Sequence, residues 1–589
     1  MCGICFICGS LVPPQQLEDQ ICSDHTLLCH RGPDVYGKKV VSISDKVTAV
    51  FEGCVLWLQG IEPTTQPVTD EYGNILLWNG DILAGFEIPE NESDTKYISD
   101  NLATKGEAAI LSFLGTIKGP WSLIYYQKEK KRLYFGRDVF GRHSLLWHLP
   151  STVQGIFMVS SVCRQRENIK EIPAFGLYFI DFTTVSLEEF KVNLIPWSNV
   201  AEESLMSLEP VIKIQKQKMV SSIQHALNMT LPSDSLLLHL KSLPSSFDME
   251  VIDKLYLSMK DDIKKLLEVL TNSVQRRIDK CPPKCLSCTN SPLKCDHSRI
   301  AVLFSGGLDS AMIALLIDSC LPESESVDLL NVAFMQRVSQ NVKTSNISGE
   351  KNISKSETNP LVNYEVPDRI SGKQCWQKLQ EIRPHRKWNF VEINVTADEL
   401  AKERESVICH LVAPLTSVLD DSIGCALWFG GRGRGIVMGV PYISPARVLL
   451  CGMGADEQLG GYSRHRRCFA EGGWSSLLNE INMEISRIHT RNLGRDNRIL
   501  ADHGRAPRFP YLDEDVVSTL NSFPIWIKAN LYLPRGIGEK FLLRVAAAHL
   551  GLSTSAALPK RAIQFGSRIA KLENSKEKGS DSCVRLIRK

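Results

Sequence analysis

Residues Ser305, Gly306, Gly307, Leu308, Asp309 and Ser310 form an unbroken run between the apolar segment 300–304 and an apolar helical pattern that begins near Ala311. A strand that turns into a helix through two glycines and two hydroxyl side chains lets backbone N–H groups approach a polyphosphate. The helix N-terminus adds favourable electrostatics for the anion. Ser305, Gly306, Gly307, Asp309 and Ser310 are therefore candidate polyphosphate-binding residues, with a pyrophosphate group seated in the turn. A plain glycine-rich turn of an α/β sheet would account for the glycines but not for the whole hexapeptide. The Lys of a Walker loop is missing, which disfavours γ-phosphate transfer.

Three further short apolar runs, at 329–334, 388–393 and 447–451, are spaced by helix-length segments and read as buried strands of a doubly wound parallel sheet. Ahead of them, residues 1–185 show short strands such as 73–78, 121–126 and 132–135 broken by Gly, Pro and Asp. That pattern fits an α+β sandwich of antiparallel sheets. Ile263, Leu266, Leu267, Leu270, Val274 and Ile278 recur at helical spacing and predict a helix ending near Lys280. The reading is an α/β chain in four parts: 1–185, a helical linker with a Cys-rich segment at 186–298, 299–570, and a flexible tail at 571–589. Within the third part, 338–363 is rich in Ser, Asn, Lys and Thr and reads as a flexible insertion, because it has too little apolar surface to offset its ordering entropy.

At 589 residues the chain is too long for one core. A formal net charge of +2 with 23% charged residues offers no basic footprint for nucleic acid. No apolar run is long enough to span a bilayer and no basic-then-apolar leader opens the chain, so a cytoplasmic protein without a membrane segment is expected. In that setting the 18 cysteines are more naturally thiols, metal ligands or a nucleophile than disulfides.

The hexapeptide is similar to the pyrophosphate loop of N-type ATP pyrophosphatases, and a second segment narrows the resemblance. Residues 451–462, containing Gly452, Met453, Gly454, Ala455, Asp456 and Glu457, resemble the Ser-Gly-Glu-Gly-Ala-Asp-Glu segment of the asparagine synthetase family. Residues 495–498, 508–513 and 539–544 resemble later segments of the same family. The start at Met1, Cys2, Gly3 and Ile4, with 30–34, 78–81, 93–95 and 137–142, resembles its class II glutamine amidotransferase half. The resemblance covers about 1–185 and 255–570, and points to a divergent branch rather than the main synthetase.

The resemblance implies a chain that hydrolyses glutamine at Cys2 and uses ATP with Mg²⁺ to convert aspartate into asparagine, releasing AMP and pyrophosphate. Cys2, freed by loss of Met1, would pair a thiol nucleophile with its own α-amine as base. Asn79 and Gly80 would form the oxyanion hole, and Asp81 and Asp94 would hold the glutamine ammonium group. Gly452, Asp456 and Glu457 would line the acceptor site, and Lys540 would place a cation on the phosphate as charge develops.

Three positions depart from the family pattern. The arginine that clamps the glutamine carboxylate should fall near Val55, where 54–58 contains no basic residue. The usual Asn-Gly-Glu is here Asn79-Gly80-Asp81, and the usual loop Glu is Met453. Loss of a bidentate clamp costs about one to three decades in a rate or affinity. Loss of an acid or base costs about two to four. Two alternatives follow: activation of a different acid, or a weakly catalytic or non-catalytic nucleotide-binding protein that works through partners. Separately, Cys281, Cys285, Cys288, Cys295 and His297 form a Cys/His cluster just before the 300–304 strand, a ligand set suited to structural zinc.

Overall fold

A computed structural model describes residues 2–10, 12–150, 155–184, 190–282, 284–288, 295, 297–337 and 362–572. The N-terminal half packs two sheets face to face. One has six strands, and Gly3–Ser10 lies in it between Ile156–Ser160 and Val47–Val55, antiparallel to both. The other has seven strands, with Ile75–Gly80 antiparallel to Trp121–Gln127 and Arg132–Arg137 next in order. Alternate residues of each strand face inward, so Ile4, Phe6 and Phe51 of one sheet join Ile75, Leu77 and Ile124 of the other in a shared core. The second sheet runs past residue 185, where the sequence reading ends the half: Val192–Pro196 and Ile212–Ile214 are its outer strands.

The C-terminal half is built on a seven-stranded sheet. Ile300–Leu303 lies at its centre, parallel to Val327–Phe334 on one side and Val448–Leu450 on the other. All four expected strands are present, and their near-continuous apolar character follows from burial on both faces. Helix Lys260–Asp279 ends where its spacing predicts and packs Ile263, Leu266, Leu270 and Val274 against the helix after the phosphate turn. The insertion read at 338–363 lies outside the described residues, apart from Val362–Asn363, which pairs with Gln336–Arg337. The tail read at 571–589 also lies outside them, apart from residues 571–572. No helix among the described residues is long and apolar enough to cross a membrane.

The halves are knitted by buried ion pairs. Arg142 pairs with Asp138 at 3.0 Å and with Glu514 at 2.5 Å, while Arg447 meets Asp34 at 2.9 Å. Apolar packing crosses the same seam: Cys5, Ile7, Leu17 and Leu28 share a core with Ala301, Leu330 and Val391.

Candidate functional site

A cleft of about 550 Å³ opens at the carboxyl ends of the central strands, where open α/β sheets bind ligands. Ser305, Gly307, Asp309 and Ser310 line it. The Gly307 N–H donates to Ser305 Oγ at 3.3 Å, and the Ser371 hydroxyl donates to the Ser305 carbonyl at 2.9 Å. Gly306 has φ +74°, and a Cβ there would sit 2.3 Å from the Ser371 carbonyl oxygen, so only glycine fits. Helix Leu308–Cys320 starts at this turn and directs its positive end toward the cleft.

The turn after Val448–Leu450 forms the facing part of the cleft. Glycine is needed at 452 because a Cβ would come within 2.9 Å of Asp309 Cβ. Helix Ala455–Gln458 then presents Asp456 and Glu457. Lys540, 2% exposed, places its Nζ 2.8 and 2.6 Å from the two oxygens of Asp309 and 2.7 Å from Asp456. Lys560 reaches the other oxygen of Asp456 at 2.5 Å. Burial pushes the Asp456 carboxyl up, but the two lysines outweigh it and hold the group well below the usual carboxylate range. Glu457 is pushed the other way by burial and then by Asp456. It accepts hydrogen bonds from the Tyr462 hydroxyl at 2.6 Å and Asn492 Nδ2 at 3.0 Å. Arg491, Arg495 and Arg561 also line the cleft, together with the apolar Leu415, Leu419, Ile423 and Met453.

The second site lies at the start of Gly3–Ser10. The Cys2 backbone nitrogen donates to Asn79 Oδ1 at 2.8 Å, and burial raises the pKa of its thiol. Asn79 Nδ2 lies 3.4 Å from Ser122 Oγ. Cys2, Asn79, Gly80, Asp81 and Asp94 line one cavity, but it holds only about 30 Å³. That is room for about two waters and far too little for an amino acid. Val55 lines it too, and among the described residues no Lys or Arg does.

Both carboxylates in this cavity already have partners. Burial pushes Asp81 up, yet Arg508, at 3.0 Å from across the seam, more than offsets it and holds the group ionised. Among the described residues no cation pairs with Asp94; burial, and then the nearby Asp81, push it up to about 7. It accepts instead from Trp78 Nε1 at 3.0 Å and from the Thr95 N–H at 2.7 Å.

A model of the asparagine synthase family matches residues 295–476, the segment that holds the phosphate turn and the Asp456 helix. Asparagine synthetase domain-containing protein 1 of Homo sapiens is 44% identical over 100% of this chain and 98% of its own length. The chain belongs to the asparagine synthetase domain-containing protein 1 family. The Bos taurus protein of that name is 41% identical over 100% of this chain and 98% of its own length. The glutamine-hydrolyzing asparagine synthetase of Gallus gallus is only 22% identical, over 98% of this chain and 86% of its own length. This asparagine synthetase domain-containing chain thus sits among amide ligases, at a distance from the named synthetase.

In this member of the family the fold gathers Ser305, Gly307, Asp309 and Ser310, with Gly452, Asp456, Glu457 and Lys540, around one cleft, and Cys2, Asn79, Gly80, Asp81 and Asp94 around another, while Gly306 shapes the turn without lining the cleft. Of the five Cys/His candidates, Cys285, Cys288, Cys295 and His297 converge, while the Cys281 thiol turns to the Arg299 carbonyl at 3.9 Å. Sequence reasoning gave no role to Lys560, Tyr462, Asn492 or Arg508. Arg508 stood in a segment quoted for the resemblance. Lys560, in contrast, carries no local signal, and only the fold brings it to Asp456 over a separation of 104 residues.

Proposed function

We propose that this chain is an AMP-forming amide ligase of the asparagine synthetase type, with ATP and aspartate in the large cleft and ammonia derived from glutamine at Cys2. The observation that carries the reading is the buried Lys540 bound to both Asp309 of the phosphate turn and Asp456 of the facing helix. In the reaction, an oxygen of the aspartate β-carboxylate attacks the α-phosphorus and pyrophosphate leaves. Ammonia then attacks the acyl carbon and AMP leaves. Lys540 and Lys560 stand where negative charge grows on the departing pyrophosphate, and preorganised cations lower that barrier without reorientation. Asp309 and Asp456 offer hard oxygen donors suited to Mg²⁺, with Asp456 kept ionised for the purpose. The ion would neutralise phosphate charge alongside the lysines.

The small cavity favours a second feature of this reading: glutamine is a poor ammonia source. Its pocket has to open, Arg508 has to release Asp81, and Asp94 has to lose a proton before an ammonium group finds its two anions. ATP–pyrophosphate exchange by the purified chain against a panel of amino and carboxylic acids tests the assignment. Aspartate-dependent exchange is expected, with Lys540→Ala lowering it by about two to three decades. Exchange with no acid, alongside intact ATP binding, would favour a nucleotide-binding protein that acts through partners. Ammonia should outperform glutamine in the full reaction, and Cys2→Ala should abolish only the glutamine-driven part. Intact-mass measurement should find the chain starting at Cys2.

A further inference from the structure

We infer that Cys285, Cys288, Cys295 and His297 hold one zinc ion, in a closed structural site at the end of the sheet opposite the ATP cleft. The ligand atoms of all four lie within 4.8 Å of one another. His297 Nδ1 is 3.6 Å from Cys285 Sγ, 3.3 Å from Cys288 Sγ and 3.9 Å from Cys295 Sγ. A tetrahedral zinc ion with bonds of about 2.3 Å to sulfur and 2.0–2.1 Å to nitrogen sets its S···N edges at about 3.5 Å. Hydrogen bonding alone does not gather three thiols around one imidazole nitrogen, since a single ring nitrogen takes one partner along its lone pair or N–H. Three soft thiolates with an imidazole select zinc over the hard cations, which prefer oxygen. A cluster of several metal ions would hold its thiolates further apart.

The position fixes the role. His297 is three residues ahead of Ile300–Leu303, at that strand's N-terminal end, whereas the phosphate turn leaves its C-terminal end. The strand, at about 3.3 Å per residue, separates the two. Four protein ligands leave no open position for a substrate, which marks a structural site rather than a catalytic one. The Leu286 N–H donates to the Pro445 carbonyl at 2.9 Å, so the cluster ties the exit of helix Lys260–Asp279 to the approach of the neighbouring strand Val448–Leu450. Zinc there would fix two of the strands that frame the cleft.

The test is the metal content and thermal stability of the full-length chain, purified without a metal-affinity step. About one zinc per chain is expected, falling below about a tenth in Cys285→Ser and Cys288→Ser but unchanged in Cys281→Ser, whose thiol lies outside the cluster. His297→Cys keeps four tetrahedral ligands and should retain the ion, which separates ligand loss from a failure to fold. A strong chelator should lower Tm, Zn²⁺ should restore it and Mg²⁺ should not. Co²⁺ in place of zinc should show the strong visible ligand-field bands of a tetrahedral thiolate site. A wild-type chain without bound metal, with a Tm indifferent to chelator, would overturn the inference, as would loss of zinc in Cys281→Ser.

Discussion

Met453 lies between Gly452 and Gly454 in the cleft lining, where the asparagine synthetase segment has a glutamate. The same lining includes Leu415 and Ile423, but also Arg491 and Arg495, so a carboxylate introduced at 453 has cations within the same cleft. Met453→Glu is expected to raise ammonia-dependent formation of asparagine and AMP by at least about tenfold. A well-folded variant with no gain would place the divergence elsewhere. Asp94 gives a prediction in pH. Burial and then Asp81 push its carboxyl up to about 7. A carboxyl raised in the fold stabilises while protonated, so its contribution is complete below about pH 4 and is lost as pH rises through 7. Asp94→Asn stays neutral, and its Tm relative to the parent should therefore climb between pH 5 and pH 8. A difference independent of pH would mean that Asp94 is ionised throughout. Asp309, Asp456 and Lys540 were legible because each sits in a local motif. Arg508 was not, because its partner Asp81 is 427 residues away and no local pattern encodes so distant a pairing.

The turn at 305–310 shows how an element, rather than a residue, shapes the wall of a cleft. Gly306 and Gly307 are adjacent, but only Gly306 has positive φ and a backbone carbonyl in the space a side chain would need. Gly306→Ala should cost about 2–4 kcal/mol from strain and overlap and abolish the rise in Tm that ATP with Mg²⁺ confers. At Gly307 a Cβ would meet nothing closer than Ser305 Oγ at 3.3 Å. Gly307→Ala should therefore fold almost as well as the parent and lose ATP affinity alone. Equal Tm values for the two unliganded variants would contradict this account of the turn. The central strands were readable because burial on both faces writes them as apolar runs. The hairpin of Arg434–Val437 and the edge strand Val440–Ile443 was not, for the turn between them places Met438 at φ 50°, a position where Asn or Gly is the usual signal. Past residue 185 the N-terminal sheet continues in Val192–Pro196 and then in Ile212–Ile214, and the latter, at three residues, is too short to show a period.

Across the whole molecule, no boundary separates the two halves energetically. Leu56 and Leu58 of the N-terminal half sit in the core of the ATP half, and Leu28 and Phe140 share another with Leu330 and Phe429. One cooperative unfolding transition is expected, and either half expressed alone should expose its side of these cores and aggregate. Two separated transitions by calorimetry would refute that. Arg508→Met leaves Asp81 buried without its cation and should destabilise the chain by about 3–5 kcal/mol, most of which the double variant Asp81→Asn with Arg508→Met should recover. The pairing has a further consequence. On the proposed reading Asp81 is one carboxylate claimed by two cations, the guanidinium of Arg508 and the ammonium group of glutamine, and it cannot serve both fully. Arg508 continues into the segment whose Tyr511 hydroxyl donates to the Asp309 carbonyl beside the large cleft at 3.2 Å. If nucleotide binding shifts this segment, the competition becomes a thermodynamic linkage. Whatever factor ATP imposes on glutamine affinity, glutamine must impose on ATP affinity in return. The salt bridge that holds the molecule together would then also set how much nucleotide must be present before nitrogen is taken in.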